Sequence, residues 1–463
     1  MRYRGNAQCT RRAQRVHWAC TDSTRCGVLP RGLGAGAVRN RLHESLSRVK
    51  ETINKTLPKK SVTEKAVNLM VSEQGTFHIN KRIRENAEDL SAALQSHMLK
   101  VFAPDARKEL RHFSAGETAE LLGISTSFLR KLHFDEKIPD VESTAGGRRL
   151  YSGEDILEIR KILETTAKNK GTYMRGRRAG DKVQVLSFLN FKGGSGKTTS
   201  SVHTAQRLAL RGYRVLAVDI DPQASMTTLF GYTPELDFIE SGTIYDAIRY
   251  EDPLPFSQII EKTYFTGIDL APGGLLLQEF EHETPQALRK NIQPAFYARM
   301  AAALQEVEAN YDVIIFDCPP QLGYLTMSAL CASTGVLITI VPNMLDVASM
   351  SQFLQMSADL LDVVSNAGAN MEFDFLRFLI NRYEPNDGPQ QQVVAFLRQL
   401  FGDEVMIAPM LKSTAISDAG LTQQTIFEVE RGQFHRNTYD RALDSLNLVN
   451  DEIELLLQTA WGR

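Results

Sequence analysis

Cysteine is scarce in this chain, with five residues in 463. No two of them form a CxxC pair or share a zinc-ligand spacing with a histidine. The pattern therefore argues against a cysteine zinc site and for a reducing compartment. An excess of one charge is missing too: 53 Lys and Arg stand against 55 Asp and Glu, a formal net charge of −2. Overall charge gives no argument for nucleic acid, so any such argument must rest on local patches. There is no apolar run of about 18 residues, so no membrane span is expected. The first residues lack the continuous apolar segment of a secretory signal.

The length suits two or three domains. Residues 1–60 carry fourteen Lys and Arg against three Asp and Glu, are rich in Gly, and show little periodicity. They read as a disordered basic tail; a misplaced start, with Met70 as a later one, and an Arg-rich targeting peptide are the alternatives. Residues 61–110 carry helical patterning, most clearly in the run Leu90–Leu99. Residues 111–167 form a second compact unit. The Gly-rich, basic stretch 168–181 reads as a linker. From Lys182 to the end, short β-branched runs alternate with longer helical stretches. Val183–Leu189, Arg214–Val218, Val313–Phe316 and Val336–Val341 are candidate buried strands. That alternation predicts an α/β fold with a doubly wound, mostly parallel sheet.

The strongest motif is Phe191-Lys-Gly-Gly-Ser-Gly-Lys-Thr-Thr199. It follows one predicted strand and opens a predicted helix, the context a phosphate loop needs. Gly193, Gly194 and Gly196 let backbone N–H groups turn inward around phosphate oxygens, with Ser195 between them and Thr199 on the first helical turn. The helix N-terminus adds its dipole. Lys197 is placed to neutralise the β- and γ-phosphates and Thr198 to coordinate Mg²⁺.

Two acidic strand ends follow. Val215-Leu-Ala-Val-Asp-Ile-Asp-Pro-Gln223 ends a buried strand on Asp219 and Asp221, which strand alternation puts on one side. Tyr311-Asp-Val-Ile-Ile-Phe-Asp-Cys-Pro-Pro320 delivers Asp317 to a strand's C-terminal end, where open α/β sheets bind ligands. Asp317 is the Walker B candidate, holding Mg²⁺ through water. Cys318 beside it reads as a buried structural thiol.

A second chemistry stands upstream. Phe113-Ser-Ala-Gly-Glu-Thr-Ala-Glu-Leu-Leu-Gly-Ile-Ser-Thr-Ser-Phe-Leu-Arg-Lys-Leu132 reads as a helix-turn-helix, with Gly123 at the turn. Ser125, Thr126, Ser127, Arg130 and Lys131 are placed along its second helix, where base-reading residues sit. Gly146-Gly-Arg-Arg-Leu-Tyr151 is similar to the wing of MerR-like winged helices, with Arg148 and Arg149 reaching for phosphate or minor groove. A short helical hairpin with no role on DNA is the alternative.

The Lys-Gly-Gly-x-Gly-Lys-Thr form of the loop has Phe191 where the usual motif has glycine, and adds Lys192. With the two acidic segments it resembles the deviant Walker A class. With Asn343–Met350 and Lys412–Gly420 as well, the chain from about residue 85 onward resembles the ParA family of partition ATPases, in its RepA branch from repABC plasmids. That resemblance implies ATP and Mg²⁺ as cofactors and slow hydrolysis. It implies an ATP-dependent homodimer in which Lys192 crosses to the partner's phosphates. It casts Asp221 as the residue that orients the attacking water and Asp219 as a member of the magnesium shell. Asn381, ending the strand Phe378–Ile380, would contact the adenine, although a plain turn fits equally well. The resemblance further implies an N-terminal dimerisation helix within 61–110 and nonspecific DNA binding through C-terminal basic residues, for which Lys412, Arg431, Arg436 and Arg441 are candidates. A ParB/RepB-like centromere-binding partner would stimulate turnover, and the helix-turn-helix would repress the operon. The implied location is the bacterial cytoplasm, on the nucleoid. A MinD-like membrane ATPase would need a basic amphipathic C-terminus, whereas Asn450-Asp-Glu-Ile-Glu-Leu-Leu-Leu457 is acidic. A nucleotide-sensing repressor with incidental hydrolysis remains the alternative.

Overall fold

A computed structural model describes residues 78–101, 108–369 and 371–463. The basic stretch 1–60, Met70, and residues 61–77 and 102–107 of the expected helical region lie outside the described residues. Helix α1 (Ile79–Val101) exposes Ile79, Ile83 and Leu90, and on its opposite side Glu85 pairs with Lys81 and Arg82.

A small helical module begins at β1 (Phe113–Ser114). Ser114 caps helix α2 (Ala115–Leu122) through a reciprocal box: the Glu117 amide donates to its hydroxyl, and its own amide donates to the Glu117 carboxylate. Gly123, at φ 69°, ends α2 in the left-handed conformation that glycine adopts without strain. Helix α3 (Thr126–Phe134) follows at once. Strand β2 (Leu150–Tyr151) pairs antiparallel with β1, and α4 (Gly153–Thr166) closes the module. Ala119, Leu122, Leu129, Leu132, Ile156 and Ile159 are buried between these elements.

Among the described residues, seven strands make one sheet in the order β5-β6-β4-β7-β3-β8-β9. They are β3 (Gln184–Leu189), β4 (Val215–Asp219), β5 (Glu261–Lys262), β6 (Ile268–Ala271), β7 (Val313–Asp317), β8 (Gly335–Ile340) and β9 (Phe375–Ile380). All pairings are parallel except β5 with β6. Strands β3, β4, β7 and β8 are buried throughout, as expected of runs covered on both faces. Their ends fall within a residue of the sequence-based expectation.

Helices cover both faces. The ones used below are α5 (Lys197–Leu210), α6 (Leu277–Lys290), α7 (Phe296–Gln305), α8 (Tyr324–Ala332), α9 (Met344–Asn366), α10 (Gly388–Phe401), α11 (Thr414–Leu421) and α12 (Arg436–Ala460). One face packs α5 and α12, and its core runs on without a break into the N-terminal module. The other packs α6, α7, α8 and α9.

The stretch 168–181 is not a free tether. The Glu164 carboxylate accepts the amides of Tyr173 (2.8 Å) and Met174 (3.0 Å), and Arg177 donates to the Glu308 carbonyl at 2.6 Å. Arg160 of α4, 2 % exposed, ties module to sheet domain. Its guanidinium donates to the Leu210 carbonyl at the end of α5 (3.0 Å), to the Tyr173 carbonyl (3.1 Å) and to the Leu121 carbonyl of α2.

Candidate nucleotide site

The phosphate loop connects β3 to α5, so every group it presents lies at the C-terminal edge of the sheet. Gly194 (φ 76°) and Gly196 (φ 88°) take left-handed conformations, which is why the loop needs glycine there. Phe191, which replaces the usual first glycine, stacks on Phe353 of α9 with centroids 5.4 Å apart. Its ring therefore packs against the domain while the loop turns beyond it. Asn190 fixes the loop's base: its carbonyl oxygen accepts the Lys192 amide at 2.8 Å, and its amide donates to the Thr339 carbonyl of β8. Ser195 is held by the Thr339 hydroxyl at 3.0 Å.

Lys197 is 7 % exposed and points into the loop, where Nζ donates to the Lys192 carbonyl at 3.4 Å. Burial lowers its pKa, against the pull of Asp317, Cys318 and Asp221. Thr198 and Thr199 stand on the first turn of α5. The Thr199 carbonyl is engaged by His203 Nδ1 at 2.7 Å, and His203 Nε2 accepts the Ile426 amide at 3.3 Å. That partner set puts the ring proton on Nδ1. Complete burial pushes the His203 pKa down to about 4, so the ring is neutral.

Asp317 is fully buried, and neither carboxylate oxygen has a hydrogen-bond partner among the described residues. Desolvation raises its pKa well above the usual range, reinforced by Asp219; Thr198 and Lys197 oppose the shift. Two orphaned acceptors beside a helix-terminal threonine and a buried lysine are what a magnesium ion and its waters would satisfy, so the residues fit that ion.

The two other acids separate in role. Asp221 lines the nucleotide cavity. Asp219 lies beneath it with both oxygens engaged: Thr227 donates to Oδ2 through its amide and hydroxyl, both at 2.8 Å, and the Asp221 amide donates to Oδ1 at 3.2 Å. Its pKa is pushed up to about 7, chiefly by burial. These bonds make Asp219 a brace for the turn that carries Asp221, with Oδ1 the less engaged of its two oxygens.

The cavity measures about 590 Å³ and runs from the loop to a wall built by Met410, Leu411, Ser413, Ile416 and Gly420. This wall was not legible as a site in the sequence. It is made by a strand-like segment beside β9, bridged Tyr383 to Leu411, and by the first turn of α11 with Ser413 as its cap. Asn381 lines the same cavity. It is fully buried, and its amide nitrogen is committed to the Ser195 carbonyl (3.0 Å) and the Ser200 hydroxyl (2.9 Å). The amide nitrogen thus supports the loop from below, while Oδ1 has no hydrogen-bond partner among the described residues. Arg382, missed by the sequence reading, is exposed at the mouth of the cavity at φ 53° and donates to the Gly194 carbonyl at 3.1 Å.

The expected DNA residues divide in the same way. Thr126, Ser127, Arg130 and Lys131 are exposed along α3, and Arg148 and Arg149 are exposed on the turn before β2. None of these four cations forms an ion pair among the described residues. Ser125 is the cap of α3 rather than part of it, its hydroxyl accepting the Phe128 amide at 3.1 Å. Lys412 lines the nucleotide cavity and pairs with Glu384 at 2.8 Å. Arg431 and Arg436 share Asp440. Arg441 is exposed and donates to the Lys412 carbonyl at 3.3 Å. Among the described residues no helix is long and apolar enough to cross a membrane, and no group of three or more His, Cys, Asp and Glu side chains converges as a metal-ligand set, so an ion beside Asp317 would depend on Thr198, phosphate and water for its other ligands.

Residues 183–367 match a family model described as an AAA domain. The chain is 51% identical to a Rhizobium rhizogenes protein with the provisional designation replication protein A, over 82% of this chain and 95% of that one. A Sinorhizobium fredii protein of the same designation is 48% identical over 84% and 96%. Protein SopA of Escherichia coli is 29% identical over 70% and 83%. A solved partition protein shares the fold at a TM-score of 0.57 and 15% identity, spanning 82% of this chain and 99% of that one.

Proposed function

Because the chain belongs to the ParA family of partition ATPases, we propose that it segregates plasmid DNA by binding and hydrolysing ATP on a DNA-bound homodimer. The observation that carries this reading is the meeting, at one sheet edge, of a glycine-rich loop, two lysines and a carboxylate with two unpartnered oxygens. Loop amides and Lys197 hold the phosphates. Thr198 and Asp317 would hold Mg²⁺, which would neutralise phosphate charge when bound. Asp221, at the cavity wall, orients the attacking water. Lys192 serves the partner's nucleotide across the dimer face. The base lies against the Met410–Gly420 wall.

The N-terminal module is read as a winged helix-turn-helix that represses the operon, with Arg130 and Lys131 in the major groove and Arg148 and Arg149 on the flanking backbone. A ParB/RepB-like protein bound at the centromere triggers hydrolysis and release from nonspecific DNA. ATPase rates of wild type and Lys192→Ala, with and without nonspecific DNA and the cognate centromere-binding protein, test the motor. Slow turnover that both additions stimulate and the substitution removes supports it.

A second reading has its own observation. Arg160 joins α2 of the module to the far end of the phosphate-loop helix, a connection suited to a repressor that senses nucleotide. If ATP binds while neither addition stimulates turnover, that reading replaces the motor.

A further inference from the structure

Lys192 sits on the outer side of the phosphate loop, beside a second cavity of about 320 Å³ lined by Asn343, Asp346, Arg382, Glu384 and Lys412. Within the protomer its ammonium forms an ion pair with Oδ1 of Asp346. The two differ in freedom. The Lys192 side chain is 44% exposed and the Asp346 side chain 10%. Asp346 stands on the first turn of α9, where the helix dipole favours an anion. Its Oδ2 accepts the Asn343 amide at 2.9 Å, and its backbone amide donates to Asn343 Oδ1 at 2.9 Å. The carboxylate is thus fixed by its cap and cannot follow the lysine. The Lys192 backbone is fixed as well, through Asn190 to β8. Only the four-carbon stem of Lys192 can move.

We propose that Asp346 is a positioning residue for Lys192: it holds the ammonium in cis until a partner's triphosphate draws it away, and so sets the discrimination between ATP and ADP in dimer formation. This rests on the reading that Lys192 acts across the dimer. The physical basis is competition. To release the ammonium, the incoming ligand must outbid a carboxylate that stays behind, partly buried, with one remaining side-chain donor. The γ-phosphate adds charge and acceptors where Lys192 would arrive, and a diphosphate lacks them.

The test is nucleotide-dependent dimerisation of the full chain, followed by analytical ultracentrifugation over a range of ATP and ADP concentrations with Mg²⁺. Asp346→Asn keeps the shape and the acceptor for Asn343 while removing the charge. The expected result is a midpoint in ATP lowered roughly three- to fivefold, the size of a half-exposed ion pair, with dimer now forming at millimolar ADP. The shift should shrink as salt rises. Asp346→Glu, which keeps the charge, should hold the wild-type midpoint and discrimination. A midpoint unchanged or raised in Asp346→Asn overturns the proposal, as does an equal shift in both variants, which would mark a packing effect. If Asp346→Asn does not fold, loss of the wild-type ATP/ADP discrimination in the charged Glu variant overturns it. Lys192→Ala separates the two readings: if ATP dimerises that variant as it does wild type, the trans role of Lys192 fails; if dimer is lost while Asp346→Asn behaves as wild type, only the present proposal fails.

Discussion

Asp219 and Asp317 are register partners at the C-terminal ends of the neighbouring parallel strands β4 and β7, both fully buried. Burial raises both pKa values; for Asp317 the Asp219 charge comes next, and for Asp219 the neighbouring Asp221 charge adds to burial while the Thr227 hydrogen bonds oppose it. The structure resolves the conflict unevenly. The Asp219 carboxylate receives three hydrogen bonds, whereas neither oxygen of the Asp317 carboxylate has a partner among the described residues.

Raised carboxyl pKa values give stability that is complete below the unfolded-state value, near 3.8, and is lost as pH rises through the folded values, about 7 for Asp219. Without magnesium and nucleotide, Asp317→Asn should therefore be more stable than wild type at pH 8, and the difference should vanish towards pH 4. Urea denaturation of both proteins across that range checks the sign. The same variant should lose Mg²⁺-dependent ATP turnover.

Asn381 is read here as a brace, and the prediction follows from its bonds. Asn381→Ala leaves the Ser195 carbonyl and the Ser200 hydroxyl without their donor, costing roughly 1–3 kcal/mol of stability. Calorimetry should show ATP, ADP and GTP weakened by similar factors. A selective loss for adenine nucleotides would restore Asn381 to the base edge.

Arg160→Met should be among the most damaging substitutions outside the site. It strips donors from the Leu121, Tyr173 and Leu210 carbonyls at a junction closed to water. A loss of roughly 3 kcal/mol or more is expected, read from denaturant midpoints. Limited proteolysis should open the chain first within 168–181.

For DNA, Arg130→Ala and Lys131→Ala should weaken binding to the operator more than to random duplex. Arg148→Ala and Arg149→Ala should weaken both alike and reduce the salt slope by about one each. Lys412→Ala should instead change nucleotide affinity, because its ammonium lies at the cavity and pairs with Glu384. Fluorescence anisotropy at several salt concentrations separates these outcomes.

The phosphate loop, the strands around it and the acids at their ends were legible because strand, turn and helix follow one another within a few residues, each with its own residue signature. Helix α2, Gly123 and α3 were legible for the same reason. What escaped joins residues far apart in the chain. The ion pair of Lys192 with Asp346 spans 154 positions, and nothing around either residue announces it. The Met410–Gly420 wall overlaps Lys412–Gly420, which entered the family resemblance, but nothing in that stretch says that it faces the phosphate loop. Asn381 has the right chemistry for a base edge, and its bonds to Ser195 and Ser200, 186 and 181 positions upstream, could not be read from its own segment. Arg160 occupies a position on an amphipathic helix that looks like surface until α5 and residues 168–174 close over it.

The division of the nucleotide cavity also bears on how the chain can be cut. A fragment ending after α9 would keep the loop, Asp221 and Asp317. It would lack Asn381 beneath the loop and the whole wall from Met410 to Gly420. It would also lack α12, whose Asn450 accepts the Thr204 hydroxyl of the phosphate-loop helix at 2.7 Å in the buried core. The smallest piece able to grip a nucleotide therefore reaches almost to the C-terminus, and a reporter fused within the last helix would disturb a site more than 200 residues upstream.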